Sequence, residues 1–112
     1  MRPTFHLVPE AVWAESDPGV DYEAVAYPAD GFIHCTDGVG PLGATFDKHY
    51  GVDPRPFLAL TVDLDAIGVP WHFDVPGSPY PHVYGPIART AILAVSRVDR
   101  DPDGRFVGLT PA

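Results

Sequence analysis

The alternation of apolar and polar residues divides the chain into short segments separated by proline and glycine. Apolar runs and period-two patterns predict seven short strands or extended segments, at 4–8, 32–35, 57–63, 71–75, 81–86, 90–98 and 105–108. The run from Phe57 to Asp63 is apolar at almost every position. Such a run is typical of a strand with both faces buried, so we expect it at the centre of a sheet.

Two segments have helical patterns. Pro9 stands where proline is favoured, at the start of a predicted helix over Glu10–Glu15, and residues 16–19 end it. A second helix is predicted by apolar residues three and four apart: Val39, Leu42, Phe46 and Tyr50. Residues 20–31 are predicted to form a long loop. The pattern predicts an α+β fold, with a small, strongly bent antiparallel or mixed sheet of six or seven short strands and two short helices.

Length and composition favour one folded domain over residues 1–112. The chain has 112 residues, within the usual range for a single domain. Eleven glycines and fourteen prolines make up a share just below the roughly 25–30% that suggests low complexity, and 46% of the residues are hydrophobic. We therefore predict a folded domain that is rich in turns.

The charge argues against polyanionic partners. The net charge is −8, from 15 acidic and 7 basic residues, and Lys48 is the single lysine. Binding to a nucleic-acid backbone needs clustered Lys and Arg, so DNA, RNA and anionic membranes are poor candidates. A single nucleotide needs only one or two cations or backbone amides. Arg89 is the candidate for such a contact.

The cysteine content and the first residues favour a cytoplasmic protein. Cys35 is the only cysteine, so no internal disulfide can form. The first residues lack the apolar segment of a signal peptide, and no apolar stretch has the length of a membrane span. We expect no membrane association.

Histidines that lie beside aromatic residues are the candidate ligand-binding residues. Alternation along a strand places His34 on one face with Phe32, and His82 on one face with Tyr84. An imidazole next to an aromatic ring suits a flat polar ligand such as a nucleobase or nicotinamide. If His6, His34 and His82 line one concave pocket, a ligand site is favoured. If they scatter over different faces, structural roles are favoured.

Other site types have less support. No His-Glu-x-x-His or Cys-x-x-Cys spacing is present, so no metal is predicted. His34 points away from the face of Cys35, which favours a buried, inert thiol over a nucleophile. His72 and His49 are interpreted as structural and solvent-facing, respectively. Nucleophile-elbow and phosphate-loop motifs are also absent.

Two segments carry a resemblance to a known family. Gly-Phe-Ile-His-Cys-Thr at 31–36 and Pro-His-Val-Tyr-Gly-Pro-Ile at 81–87 follow His6 and Trp13 in the order of a bacterial family called domain of unknown function 952. The resemblance extends over about residues 4–108.

A more remote resemblance is to the ADP-ribosyltransferase-like fold, in particular its RNA 2′-phosphotransferase branch, which consumes NAD. It implies that His6 contacts a ribose of NAD and that His34 and Thr36 lie near the nicotinamide. Transferases of this fold often have a glutamate in a third motif. Here the corresponding positions hold His82 and Tyr84, with Asp74 on the preceding strand.

These observations give a functional hypothesis. We expect the protein to bind an NAD-like nucleotide, with NAD as substrate rather than fixed cofactor, and to act at the nicotinamide–ribose bond. Asp74 and His82 are the candidate catalytic residues. The candidate binding residues are His6, Phe32, His34, Thr36, Tyr84 and Arg89. The alternative is a non-catalytic module that binds a small ligand or a protein in the same cleft.

Overall fold

The computed structural model describes all 112 residues and has an α+β architecture. In chain order the main elements are β1 (Pro3–Pro9), α1 (Glu10–Glu15), α2 (Tyr27–Asp30), β2 (Ile33–His34), α3 (Val39–Tyr50), β3 (Phe57–Asp63), β4 (Trp71–Phe73), β5 (Pro81–Val83), β6 (Ile92–Arg100) and β7 (Phe106–Pro111). Two 3₁₀ turns lie at Leu64–Ala66 and Arg89–Ala91. None of the helices has the length and apolar composition needed to cross a bilayer.

Strand β3 lies inside a four-stranded antiparallel sheet with the order β1-β3-β6-β7. Its alternate residues enter two different cores. Leu58, Leu60 and Val62 pack into the larger core, towards β2 and β5. Phe57 and Ala59 pack into a smaller core with Leu42 and Phe46 of α3. The central, doubly buried strand predicted from the apolar run is confirmed.

The sequence predicted one bent sheet, but the structure has two. Strands β2, β5 and β4 form a separate three-stranded sheet in the order β2-β5-β4, and every strand pair is antiparallel. A single bridge connects the sheets, in which Phe5 and Thr36 exchange backbone hydrogen bonds of 2.9 and 2.8 Å. The glycines Gly31 and Gly38, with φ of 80° and 86°, bend the chain on both sides of β2. That segment is therefore too short to pair with β1 along its length.

Three helices are present where two were predicted. α1 and α3 occupy the predicted segments, whereas α2 lies within the predicted loop 20–31. Its four residues are too few to show a helical period, although Pro28 in its first turn and Gly31 in the left-handed conformation at its end are usual helix boundaries. Strand β4 is shorter than predicted and ends at Phe73, so Asp74 lies just beyond it.

Candidate functional site

A cleft of about 870 Å³ lies beside the bridge between the two sheets. Its walls come from β1, the chain around α2, β2 and β5, and α3. The lining includes His6 of β1, His34 of β2 and His82 of β5. The three histidines that were expected to mark a ligand site therefore do line one concave surface, and its volume is within the usual range of about 300–1,000 Å³ for small-molecule sites.

The three-stranded sheet aligns three histidines across its strands. His82 on the middle strand is directly opposite both His34 of β2 and His72 of β4. The Phe32 ring stacks on His82, with centroids 3.9 Å apart and planes 13° apart. The His34 and His82 rings meet edge to face at 5.7 Å. The predicted pairing of Phe32 with His34 is confirmed by rings 4.6 Å apart, and that of His82 with Tyr84 by their hydrogen bonds to the same carboxylate, Asp74.

The other face of this sheet is buried. Ile33 and Val83 are fully buried and Cys35 is 2% exposed, all within the larger core. Burial raises the pKa of the Cys35 thiol to about 12, so the sulfur is protonated at neutral pH. A protonated, enclosed thiol is a poor nucleophile, as the sequence indicated.

Asp74 accepts hydrogen bonds from two side chains and faces a third. Its Oδ2 accepts from the Tyr84 hydroxyl and from His82 Nδ1, the latter at 2.5 Å. His72 Nε2 lies 2.9 Å from Oδ1. The hydrogen bond from Tyr84, followed by that from His82, holds the pKa of Asp74 below its usual value. Asp74 is therefore an anion, and the hydrogen bond that it accepts from Nδ1 fixes the orientation of the His82 ring.

The carboxylate that lines the cleft is Asp30, which the sequence analysis did not single out. Asp74, Tyr84 and His72 are not among the lining residues, whereas Asp30 at the end of α2 is. Asp30 Oδ2 lies 2.9 Å from His34 Nε2. Two histidine–carboxylate pairs thus form at this sheet, Asp30 with His34 and Asp74 with His82, and Asp74 is the one member outside the cleft lining.

His6 differs from the other cleft histidines because it is almost fully buried. It is 6% exposed, with Nδ1 2.7 Å from the His34 carbonyl and Nε2 2.8 Å from the Tyr22 hydroxyl. The carbonyl can only accept, so Nδ1 carries the proton and Nε2 accepts from Tyr22. Burial lowers the pKa of His6 to about 4, so the ring is neutral near pH 7. A ribose hydroxyl would have to replace the Tyr22 hydroxyl to reach Nε2.

Thr36 and Arg89, the remaining predicted binding residues, lie in different places. Thr36 lines the cleft and is 4% exposed. Arg89 lies outside it, where its guanidinium donates to the Val20 and Asp17 carbonyls, both at 2.7 Å, and covers the Trp13 ring at 5.0 Å. These contacts occupy the guanidinium, so Arg89 stabilises the loop after α1. The structure does not place it at the cleft, where it was expected to bind a ligand.

The family model described as "Protein of unknown function (DUF952)" matches residues 7–95. The chain belongs to the DUF952 family. The matched region contains the whole three-stranded sheet and α3, and it begins one residue after His6. It is somewhat shorter than the stretch of about 4–108 over which the resemblance was predicted. A search of curated protein sequences found no match.

Solved structures similar to this DUF952 chain are those of protein CC0527 from Caulobacter crescentus. The crystal structures of that protein and of a double mutant of it each have 23% sequence identity and a TM-score of 0.76, and the match covers 94% of this chain and 93% of the other. The solution structure has 22% identity and a TM-score of 0.71, with 95% and 92% covered. At this identity the likeness establishes the fold alone.

Several residues of this DUF952 site were missed or undervalued in the prediction from sequence. The Trp71-His72-Phe73-Asp74 segment alternates, so His72 could have been placed beside Asp74 from sequence. Tyr22 and Asp30 lie in the predicted loop, where periodicity gives no information on direction. Their positions follow from tertiary contacts, such as the backbone bridge between Tyr22 and Ile87.

Proposed function

We propose that the cleft binds a nucleotide-like small molecule, with NAD as the candidate, and that His82, oriented by Asp74, acts as a base on that ligand. The observation that carries the proposal is the convergence of His6, His34 and His82, which are remote in sequence, on one cleft. Neighbouring rings, including Phe32, provide flat surfaces that suit a base or nicotinamide.

The backbone at the cleft supports ligand binding as well. Phe5 directs its N–H and C=O towards Thr36, and alternation along β1 directs those of Leu7 to the same side. Beyond the bridge, β2 turns away from β1. The backbone N–H and C=O of Leu7, which lines the cleft, therefore have no strand partner there. Such groups match a ligand that carries both a donor and an acceptor, as an amide does.

The chemistry proposed is cleavage or transfer at the nicotinamide–ribose bond. The C–N bond breaks and its electron pair leaves with nicotinamide, while an acceptor oxygen, water in the simplest case, bonds to the ribose carbon. His82 Nε2 takes the proton of that oxygen, and Asp74 stabilises the imidazolium from behind. Asp74 is thus a positioning residue that acts through His82. Asp30 is the carboxylate that lines the cleft itself. The choice of this bond follows from the remote resemblance to the ADP-ribosyltransferase-like fold, which is part of the proposal.

Ligand binding is tested by thermal shift with NAD, ADP-ribose and nicotinamide. A ligand at 100 times its Kd stabilises the folded state by about 2.7 kcal/mol, which is readily detected. We expect Phe32→Ala to lose the shift. The control is His72→Ala, because His72 is on the same sheet face but outside the cleft. The proposal is wrong if none of the three compounds stabilises the wild-type protein.

Turnover is tested separately by chromatographic detection of nicotinamide released from NAD. Removing a general base lowers a rate by about 10²–10⁴-fold, so we expect His82→Ala to do so while Leu93→Ala, on an exposed site of β6, leaves it unchanged. Binding of NAD without any nicotinamide release by the wild-type protein would instead support the non-catalytic module.

A further inference from the structure

The positive charges of this acidic chain are almost all engaged within the protein. Arg2 pairs with Asp37 and Arg55 with Asp53. Arg89 and Arg100 donate to backbone carbonyls, and Arg105 lies 4.0 Å from Asp47. Lys48 and Arg97 have no such partner, and of these two only Lys48 lines the cleft.

Lys48 is accompanied by two further unpartnered polar groups on the same helix. Thr45, Lys48 and His49 are spaced i, i+3 and i+4 on α3, so they share one face, and all three line the cleft. The Thr45 hydroxyl is buried and has no hydrogen-bond partner. Buried polar groups are nearly always satisfied, so the Thr45 hydroxyl is a donor that remains available for a ligand.

We infer that the ligand of this cleft carries a phosphate group, which is bound by Lys48 with the Thr45 hydroxyl and the His49 ring beside it. This inference rests on the proposed function and specifies its substrate class. Lys48 supplies the charge, and Thr45 supplies a hydroxyl donor that reaches the cleft by a rotation about χ1.

Other charged groups at this wall limit where the phosphate lies. Asp30 lines the cleft and would repel an anion, but it is paired with His34 on β2. Arg55 also lines the cleft, and its pairing with Asp53 leaves it as a secondary cation. The phosphate is therefore placed at α3, and the base or nicotinamide ring at Phe32 and His34.

The test compares ligands that differ only by the phosphate. Binding of AMP against adenosine, and of nicotinamide mononucleotide against nicotinamide riboside, is measured by calorimetry at low ionic strength. We expect the phosphorylated member of at least one pair to bind about tenfold tighter or more to the wild-type protein. Lys48→Gln should reduce that binding to the level of the nucleoside, and Lys48→Arg should largely retain it.

Matched controls separate a local contact from net charge. Arg97→Gln removes the same charge at an exposed position of β6 outside the cleft, and it should leave binding unchanged. Thr45→Val should weaken the phosphorylated ligand about threefold or more, since a hydrogen bond to a charged group is lost. Equal binding of nucleoside and nucleotide to the wild-type protein, or unchanged nucleotide binding to Lys48→Gln, overturns the phosphate inference while the proposed function stands. If no member of either pair binds, the phosphate inference fails, and the thermal shift with NAD, ADP-ribose and nicotinamide decides the proposed function.

Discussion

The two sheets use histidine in opposite ways. In the four-stranded sheet His6 is 6% exposed, and its two ring nitrogens are bonded to the His34 carbonyl and the Tyr22 hydroxyl. In the three-stranded sheet His34 has 61% of its side chain exposed and pairs with the Asp30 carboxylate. The first arrangement fixes a neutral ring in the core. The second leaves the ring exposed at the wall of the cleft.

This difference follows from how each sheet is covered. The central strand β3 is enclosed on both faces, so the large sheet has little room for exposed chemistry. The small sheet buries one face in the core and leaves the other open. Residues that pack in the core therefore alternate along its strands with residues that face the candidate site. Stability is therefore expected to depend mainly on the large sheet and on the inner face of the small one.

The strongest test of this comparison is Leu60→Asp. Leu60 is fully buried in β3, and an unpaired charge there costs several kcal/mol, comparable to the whole stability of a small domain. We expect no cooperative unfolding transition by circular dichroism. Leu93→Asp on β6, where the residue is 45% exposed, should fold as the control. A soluble Leu60→Asp protein with cooperative melting would show that β3 is not the centre of the core.

A second test uses the pH dependence of stability that burial gives to His6. The folded-state pKa of His6 is about 4, below its ordinary value of 6.5, because burial disfavours the charged ring. The unfolded chain therefore binds the proton first. The free energy of unfolding is therefore unaffected by the titration of His6 above pH 6.5. As the pH falls towards 4, it decreases by about 3 kcal/mol on account of this ring.

The measurement is the free energy of unfolding in denaturant over that pH range. The His6→Gln variant cannot titrate there, so the difference in slope between the two proteins isolates this ring. Equal slopes for the wild type and the variant would mean that His6 is not buried as a neutral group.

The sequence predicted the elements well and the connection between the sheets poorly. The apolar run of β3 and the spacing of Leu42 and Phe46 on α3 are local signals, and each was interpreted correctly. The split into two sheets depends on where Gly31 and Gly38 bend the chain around a two-residue strand. A strand of two residues has no periodicity of its own, so the strands that pair with it cannot be predicted from the sequence.

The same limit applies to the site. Alternation placed His34 on one face with Phe32, because direction along a strand is local information. It placed His82 with Tyr84 in the same way. Asp30 was missed and Arg89 was expected at the ligand because both depend on which segments pack together. The Arg89 contacts with Asp17 and Val20 span about 70 residues, and no local pattern reports them.

A smaller effect distinguishes the two faces of β2. His34→Ala should cost less than about 1 kcal/mol, because 61% of its side chain is exposed and contributes little packing. His82→Ala is expected to cost as little although its side chain is 18% exposed, because the ring faces the cleft and not the core. Ile33→Ala should cost about 2–5 kcal/mol, since Ile33 is fully buried. The three free energies of unfolding are compared with that of the wild type in denaturant. A loss of about 3 kcal/mol in either histidine variant would identify that ring as a structural residue instead.

The smallest effect expected is an absence of reaction at Cys35. Cys35 follows His34 directly but points into the core, where burial raises the pKa of its thiol to about 12. In the native protein a thiol reagent should therefore leave Cys35 unmodified, while an imidazole-acylating reagent modifies His34, as followed by mass spectrometry. In denaturant both residues should react, because burial is what protects the sulfur. Labelling of native Cys35 as fast as in the denatured chain would show that β2 opens readily, and the contrast between its two faces would then not hold in solution.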